Sequence, residues 1–327
     1  MVFKSYLQLG KIRVTAMVLV TAAVGYLLAS PRPIDWGRLS LAILGTGLAA
    51  VGACALNQVI EVRRDAQMER TCRRPLPAGL LSRGHALAFA IVTAAAGLGI
   101  LNELVGPLPA LLGLINLVVY TSIYTPLKPR TSLSTLAGAI CGALPPVMGW
   151  TAAGGRLALE PALLATILFL WQIPHFLSFA WLYRADFSRA GYRMLPVVDP
   201  GGRLTCLLIV LYSLSLMPLG LMVTLCGMAG NLFGAASLAL GLALFLAALR
   251  LRAAKTERNA RRVFLASIAY LPLLLVLLVA DARPARIHNR APGEHGRRDA
   301  FPLAEREEYA GNAEREEYVS SAEPAAR

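Results

Sequence analysis

LSLAILGTGLAAVGACALNQVIEVRRD, residues 39–65, is the stretch that decides the fold. Its first 22 residues carry no charge, and it ends abruptly in Glu61, Arg63, Arg64 and Asp65. A helix needs about 20 consecutive apolar residues to cross the hydrocarbon core of a bilayer. This one is long enough, and its charges begin where the water would. Similar runs recur at 14–30, 85–102, 107–124, 134–153, 161–183, 204–225, 230–250 and 263–281, so the expected fold is an all-α bundle of about nine transmembrane helices. Pro145, Pro146, Pro174 and Pro218 fall inside these runs, which membrane helices tolerate.

Composition agrees with this reading. Of the 327 residues, 56% are hydrophobic and only 16% charged, and mean hydropathy is +0.57. A soluble domain carries about 25% charged residues. A disordered chain needs low hydrophobicity and high charge. Both classes are excluded for the body. The net charge of +13 would suggest nucleic acid in a soluble protein, but charge sorting across a membrane explains it better. The N-terminus and the loops after spans 2, 4, 6 and 8 hold 21 Lys and Arg residues; the loops after spans 1, 3, 5 and 7 hold Arg32, Arg38 and Arg156. Positive residues stay on the cytoplasmic side. The N-terminus is therefore expected in the cytoplasm, and no nucleic-acid partner is needed.

The chain divides into a transmembrane domain, 1–281, and a polar tail, 282–327. The tail is rich in Glu, Arg, Ala, Gly and Pro and repeats EREEY at 305–309 and 314–318. It reads as disordered and, with nine spans, lies on the outer side. The five cysteines are scattered without metal spacing and read as small hydrophobes. No cleavage site follows a short apolar core before Val14, so the first run reads as a retained span.

Acids are scarce in the body, so each is informative. Asn57, Glu61 and Asp65 are spaced i, i+4, i+8 and share one helix face. Such a stripe of oxygens at a membrane edge suits Mg²⁺, which shares its shell between carboxylates and phosphates. Spacing alone is served equally well by a polar helix end whose acids pair with Arg63, Arg64 or Arg70. The next segment, MERTCRRPLP at 68–77, places Arg70, Arg73 and Arg74 just past the carboxylates. Guanidinium forks suit phosphate oxygens, although charge sorting also accounts for them. His175 lies inside span 6 and reads either as a structural hydrogen-bonder or as a functional group.

The run NQVIEVRRDAQMERTCRRPLP, 57–77, resembles the first signature of the UbiA superfamily of intramembrane prenyltransferases. It matches at Asn57, Glu61, Asp65, Met68, Arg70, Thr71, Arg74, Pro75, Leu76 and Pro77. Two further segments resemble the heme-modifying branch of that family: YTPLKPRTSLSTLAGAICGALPPVMGW, 124–150, and WQIPHFLSFAWLYRADFSRAGYRMLPV, 171–197. The resemblance covers the body and not the tail. It implies a cytoplasm-facing cavity in which farnesyl diphosphate binds through Mg²⁺ and the acceptor is heme B. It assigns Asn57, Glu61 and Asp65 to the metal, and Asn57, Arg70, Arg74, Lys128 and Arg130 to the diphosphate. Asp65, Asp186 and His175 become the candidate catalytic groups. His175 could contact heme, ligate its iron or shuttle a proton. Asp186 stands at the family's second acidic motif, where Ala190 replaces a second acid four residues on.

The implied reaction loosens the allylic C–O bond, transfers the farnesyl group to a heme vinyl carbon, and adds water to give heme O. A UbiA-type enzyme acting on a quinone precursor shares the diphosphate half of the site but not the PPVMGW and PHF segments. A transporter would predict inverted repeats, which the halves lack. A non-catalytic assembly factor is separated only by an activity test. The expected location is a bacterial inner membrane, because no mitochondrial presequence precedes span 1. A heme A synthase or terminal oxidase assembly machinery is the candidate protein partner.

Overall fold

The computed structural model describes residues 2–283, and the readings made for the tail lie outside the described residues. A short amphipathic helix, α1 (Val2–Leu9), precedes the first long helix, α2 (Ile12–Ala29). Then come α3 (Trp36–Asp65), α4 (Arg83–Ile100), α5 (Pro107–Val118) and the single turn α6 (Thr125–Leu127). The second half holds α7 (Ser134–Ala152), α8 (Leu159–Leu182), the short α9 (Arg184–Arg189) and α10 (Leu195–Val198), and finally α11 (Arg203–Leu225), α12 (Asn231–Ala253) and α13 (Glu257–Ala280). No strand occurs among the described residues.

Each expected span is a helix. Eight are long and apolar enough to cross a membrane. The ninth, α7, has the length but is diluted by Gly, Thr and Pro, and 15 of its 19 residues are buried. It packs against α2, α5 and α8 and forms the centre of the bundle. Around it, Val92, Leu232 and Val276 are exposed along the outer faces of their helices. Apolar side chains distributed in this way suit lipid rather than water.

Close helix contact comes from small residues. Gly25 of α2 lies against the Pro146 carbonyl of α7, and Gly149 of α7 lies against the Ala22 carbonyl of α2. Between α3 and α4, Gly52 meets Ala90 and Ala94, while Gly97 meets Gly45 and Ala49. Without a hydrophobic drive between helices in lipid, such backbone approaches and the dispersion they allow hold the pairs together.

Two helix starts lie well before the apolar runs, at Trp36 for α3 and Glu257 for α13. α3 starts at Trp36 because the Asp35 carboxylate caps it, accepting from Arg38 N at 2.8 Å. α13 starts at Glu257, capped by Thr256, and its first turns are polar. At the end of the bundle opposite the carboxylates, Arg38 donates to the carbonyls of Val105 and Ala152 and ties α3 to the ends of α5's preceding turn and α7.

The loops after α3, α5, α8 and α12 meet at one end. Arg193 N donates to Lys128 O at 2.9 Å, and Lys255 Nζ donates to Gly201 O at 2.9 Å. Asp186 in α9 accepts from Arg70 N at 3.3 Å. The basic loops therefore surround one opening.

Candidate functional site

A cavity of about 430 Å³ opens among α2, α3, α5, α7, α8 and α13. Its polar end is built by the last turns of α3. Glu61 and Asp65 are both buried and both line it. Their i, i+4 spacing places them on one face, next to the opening where the basic loops meet. Neither pairs with Arg63, Arg64 or Arg70. Lys128 Nζ donates to Glu61 Oε1 at 2.8 Å, and Arg74 Nη1 donates to Asp65 Oδ2 at 2.7 Å. Thr71 donates its hydroxyl to the Asp65 backbone carbonyl at 2.9 Å, satisfying a helix-end acceptor and folding the loop back over the site.

Asn57 is fully buried one turn deeper. Its Oδ1 accepts from Lys11 Nζ at 2.6 Å, and its Nδ2 donates to Thr125 Oγ1 at 3.0 Å. Thr125 in turn donates to Tyr120 O at 2.7 Å. This bond spans a widened π-type turn, Val119–Tyr124, just before Pro126, which has no amide to donate. The turn directs Tyr120 and Tyr124 at the cavity, and Lys128 Nζ lies 4.4 Å from the Tyr124 ring centre.

Lys11 was not expected here. It joins α1 to α2 with φ 47°, a left-handed conformation that non-glycine residues seldom adopt. Gln58, the neighbour of Asn57, donates to Leu9 O at 2.7 Å and Gln8 O at 3.1 Å, clamping the end of α1. The ammonium is thereby carried inward. Burial lowers its pKa to about 8. In sequence, Lys11 is one more base before the first span, and charge sorting hides it. The left-handed turn between two helices is a structural signal only.

Arg70 also lines the cavity, with its guanidinium 5.2 Å from the Phe179 ring centre and 5.7 Å from that of Tyr183. Burial lowers its pKa. Burial opposes charge on Lys128 as well, but Tyr124 and Glu61 outweigh it and raise the pKa above the ordinary lysine value. Two carboxylates thus face four cations, Lys11, Arg70, Arg74 and Lys128. The excess positive charge suits a polyanion.

Three expected site residues are placed differently. Arg130 is exposed and does not line the cavity; it shares a loop with Lys128 but lies beyond the inward turn. Asn57 stands behind the wall, with its oxygen facing Lys11. Asp186 is buried between Arg189 and the backbone of Arg70 and does not line the cavity. Burial opposes its charge, but the Arg189 bond outweighs that and lowers its pKa. In this arrangement Asp186 fastens the loop after α3 to the loop after α8.

The wall also has an apolar, aromatic part, with Phe176, Met148 and Phe264, and Phe179 links it to Arg70. His175 belongs to this part. It stacks on Trp171, at 4.9 Å between ring centres, and Phe264 lies 5.0 Å from its ring. Glu61, Asp65, Arg70, Arg74, Lys128 and His175 therefore line one continuous space.

The sequence pattern of the UbiA prenyltransferase family matches residues 18–268, which include both carboxylates and the whole cavity wall except Lys11 and Val14. The chain belongs to the UbiA prenyltransferase family. Among UbiA relatives, the protoheme IX farnesyltransferase of Solibacter usitatus is 43% identical over 287 residues, covering 85% of this chain and 98% of the relative. That of Koribacter versatilis is 42% identical over 288 residues, covering 85% and 93%. Solved structures share the fold at low identity. A digeranylgeranylglyceryl phosphate synthase superposes with a TM-score of 0.73 at 15% identity, covering 85% of this chain and 98% of its own. A UbiA homologue from Archaeoglobus fulgidus bound to DMAPP and Mg²⁺ gives 0.63 at 15% identity, covering 84% and 99%.

Proposed function

We propose that this UbiA-family protein transfers a farnesyl group from farnesyl diphosphate to a vinyl group of heme B, giving heme O and diphosphate. The observation that carries this reading is the identity of 43% across nearly the full length of a protoheme IX farnesyltransferase. The cavity supports it, with a cation-rich polar end for a diphosphate and an apolar, aromatic part for a prenyl chain and a porphyrin.

The polar end fits a hard divalent cation. Glu61 and Asp65 present carboxylate oxygens to the cavity from one helix face, and Lys128 and Arg74 bond one oxygen of each. Mg²⁺, which accompanies DMAPP in the Archaeoglobus homologue, would be held by Glu61 and Asp65, with Asn57 behind them bonded to Lys11, and would supply Lewis-acid stabilisation of the leaving diphosphate. Lys11, Arg70, Arg74 and Lys128 contact the diphosphate oxygens and stabilise the charge that develops there. The allylic C–O bond breaks with its electron pair going to diphosphate. The vinyl π pair forms the new C–C bond. Water then adds to the resulting cation and releases a proton. The aromatic wall excludes water during the first step. Asp186 and Arg189 position the Arg70 loop.

The charge asymmetry, with the basic loops gathered at the polar end, supports a cell inner membrane location with the N-terminus in the cytoplasm and the C-terminal tail outside. The last apolar helix, α13 (Glu257–Ala280), and the polar composition after it support a transmembrane domain over 1–281 and a polar tail over 282–327. Expression of the full chain in membranes that make heme B but no heme O tests the reaction. Heme O should appear in the mass spectrum of the extracted hemes; its absence with the protein well expressed overturns the reading.

Lys11 extends the test beyond the expected residues. Lys11→Gln should raise the KM for farnesyl diphosphate about tenfold or more, since one charge-assisted phosphate contact contributes ~1.5–3 kcal/mol. The KM for heme B should stay near its wild-type value. Steady-state kinetics in detergent with each substrate varied checks the split.

A further inference from the structure

Gln172 of α8 is buried, at 5% exposure, and lines the cavity. Its Nε2 donates to Ala139 O of α7 at 3.1 Å and to Leu168 O of its own helix at 3.0 Å. Both partners are carbonyls and can only accept, so the amide nitrogen must face them and Oε1 must face away. Both amide hydrogens are thereby used, which holds the group in one orientation. Oε1 accepts from nothing among the described residues and is open to the cavity. The next turn of α8 is fixed as well: His175 Nδ1 lies 2.9 Å from Ser267 Oγ, and Trp171 Nε1 donates to Ser267 O at 2.8 Å. The result is a fixed carbonyl dipole with its negative end towards the cavity.

Gly142 of α7 makes room for that carbonyl. A Cβ at Gly142 would overlap the Gln172 amide, and its three nearest atoms would be Oε1, Cδ and Nε2 of that group. Gly149, in contrast, faces the backbone of α2. Gly142 is therefore small for the sake of the amide rather than of helix contact. A strap between two helices needs only the amide hydrogens. It does not need an oxygen kept without a donor, which is costly for a buried group. The depth of this oxygen follows from α7. Gly138, one turn before Gly142 on the same face, packs against the Tyr124 ring, which lies 4.4 Å from Lys128 Nζ. Four helical residues rise about 6 Å. Oε1 therefore sits about one turn inward of the cations at the polar end, the depth at which an acceptor would meet the allylic carbon of a diphosphate held there.

We infer that Gln172 is the positioning residue for the water that completes the proposed reaction. The inference rests on the proposed function, since it takes the acceptor to be a heme vinyl group. Once the new C–C bond has formed, the former vinyl carbon next to the porphyrin carries the positive charge. The water donates one hydrogen to Oε1 and turns an oxygen lone pair towards that carbon. The pair forms the C–O bond, and the proton released goes to the diphosphate left by the first step. The competing step is loss of a proton from the neighbouring carbon to the same diphosphate, which gives an alkene lighter by one water. A carboxylate at this place would itself capture the cation, whereas a neutral carbonyl orients water and stabilises the nearby positive charge. Asp186 does not line the cavity and is not placed for this role.

The test uses the full chain purified in detergent with heme B, farnesyl diphosphate and Mg²⁺, and resolves all farnesylated hemes by mass. The wild-type protein should give heme O with little alkene. Gln172→Met keeps the side-chain length, and the Ala139 and Leu168 carbonyls keep the amides of their own helices. It should still farnesylate heme, but with the ratio of heme O to alkene lowered about tenfold or more, as expected for losing one hydrogen bond to the water. Gly142→Ala, which pushes the carbonyl from its recess, should shift the ratio in the same direction. A purely structural Gln172 would lower the total product and leave the ratio alone. An unchanged ratio in either folded variant overturns the inference. So does a folded Gln172→Met that makes no farnesylated heme, because the amide would then act in the transfer itself. Absence of any farnesylated heme from the wild-type protein overturns the proposed function instead.

Discussion

Glu61→Gln or Asp65→Asn should lower heme O formation by about a thousandfold or more while the chain still folds in the membrane. A thousandfold is ~4 kcal/mol of lost transition-state stabilisation, the upper range for removing one electrostatic contact from a dry active site. Each carboxylate is buried and faces the cavity. Each replacement keeps the shape and leaves a carbonyl that can still accept from Lys128 or Arg74. What it removes is the negative charge that would hold a divalent cation beside the diphosphate. Heme extraction and mass analysis at matched protein levels measure the loss, and size-exclusion in detergent checks the fold. A simpler explanation is that Glu61 serves only to neutralise Lys128, 2.8 Å away. Deleting both partners of a buried pair leaves no stranded charge. If the simpler explanation held, Glu61→Gln combined with Lys128→Met would restore activity as well as stability. Wild-type heme O levels in that double variant, or in either single variant, would sink the metal-ligand assignment. A folded but inactive double variant is the expected result.

How far the sequence carried depended on what each signal measures. Hydropathy finds lipid-facing surface, so α11, α12 and the apolar part of α13 were plain in it. It is weaker for α7, whose small residues are spent on helix contact rather than lipid contact. The starts of α3 and α13 were missed by three and six residues, because their capped first turns are polar and extend past the apolar run. The π-type turns at Leu101–Val105 and Val119–Tyr124 left no periodic trace. Within the site, Glu61 and Asp65 were visible by spacing. Arg74 and Lys128 gained meaning from the resemblance. Charge sorting explains every base in these loops equally, so it could not tell Lys11 and Lys128, which turn inward, from Arg130, which does not. The partner of His175 was invisible, since Ser267 lies 92 residues away on another helix.

Gly149→Val should prevent accumulation of folded protein altogether, and Gly25→Val should do the same. In each case the new Cβ would overlap a backbone carbonyl of the facing helix, Ala22 O for Gly149 and Pro146 O for Gly25. A flexible side chain could swing aside, but a helix backbone can only move as a unit. The two contacts lie on the same α2–α7 interface, so separating the helices at one site opens the other. Overpacking typically costs ~1–3 kcal/mol even where side chains can adjust. Against a rigid backbone, and at the central helix of the bundle, about 3 kcal/mol or more is expected, a large fraction of the stability of most proteins. Gly99→Val is the matched control. It makes the same change within α4, but a Cβ there meets nothing within 4 Å. Valine also has a better helix propensity than glycine. Gly99→Val should therefore accumulate and run as a single species in detergent, with thermal stability at or slightly above wild type. Equal loss of all three variants would point to a general sensitivity of membrane insertion. Normal folding of Gly149→Val would contradict the close α2–α7 contact itself, and with it the shape of the cavity wall that α7 supports.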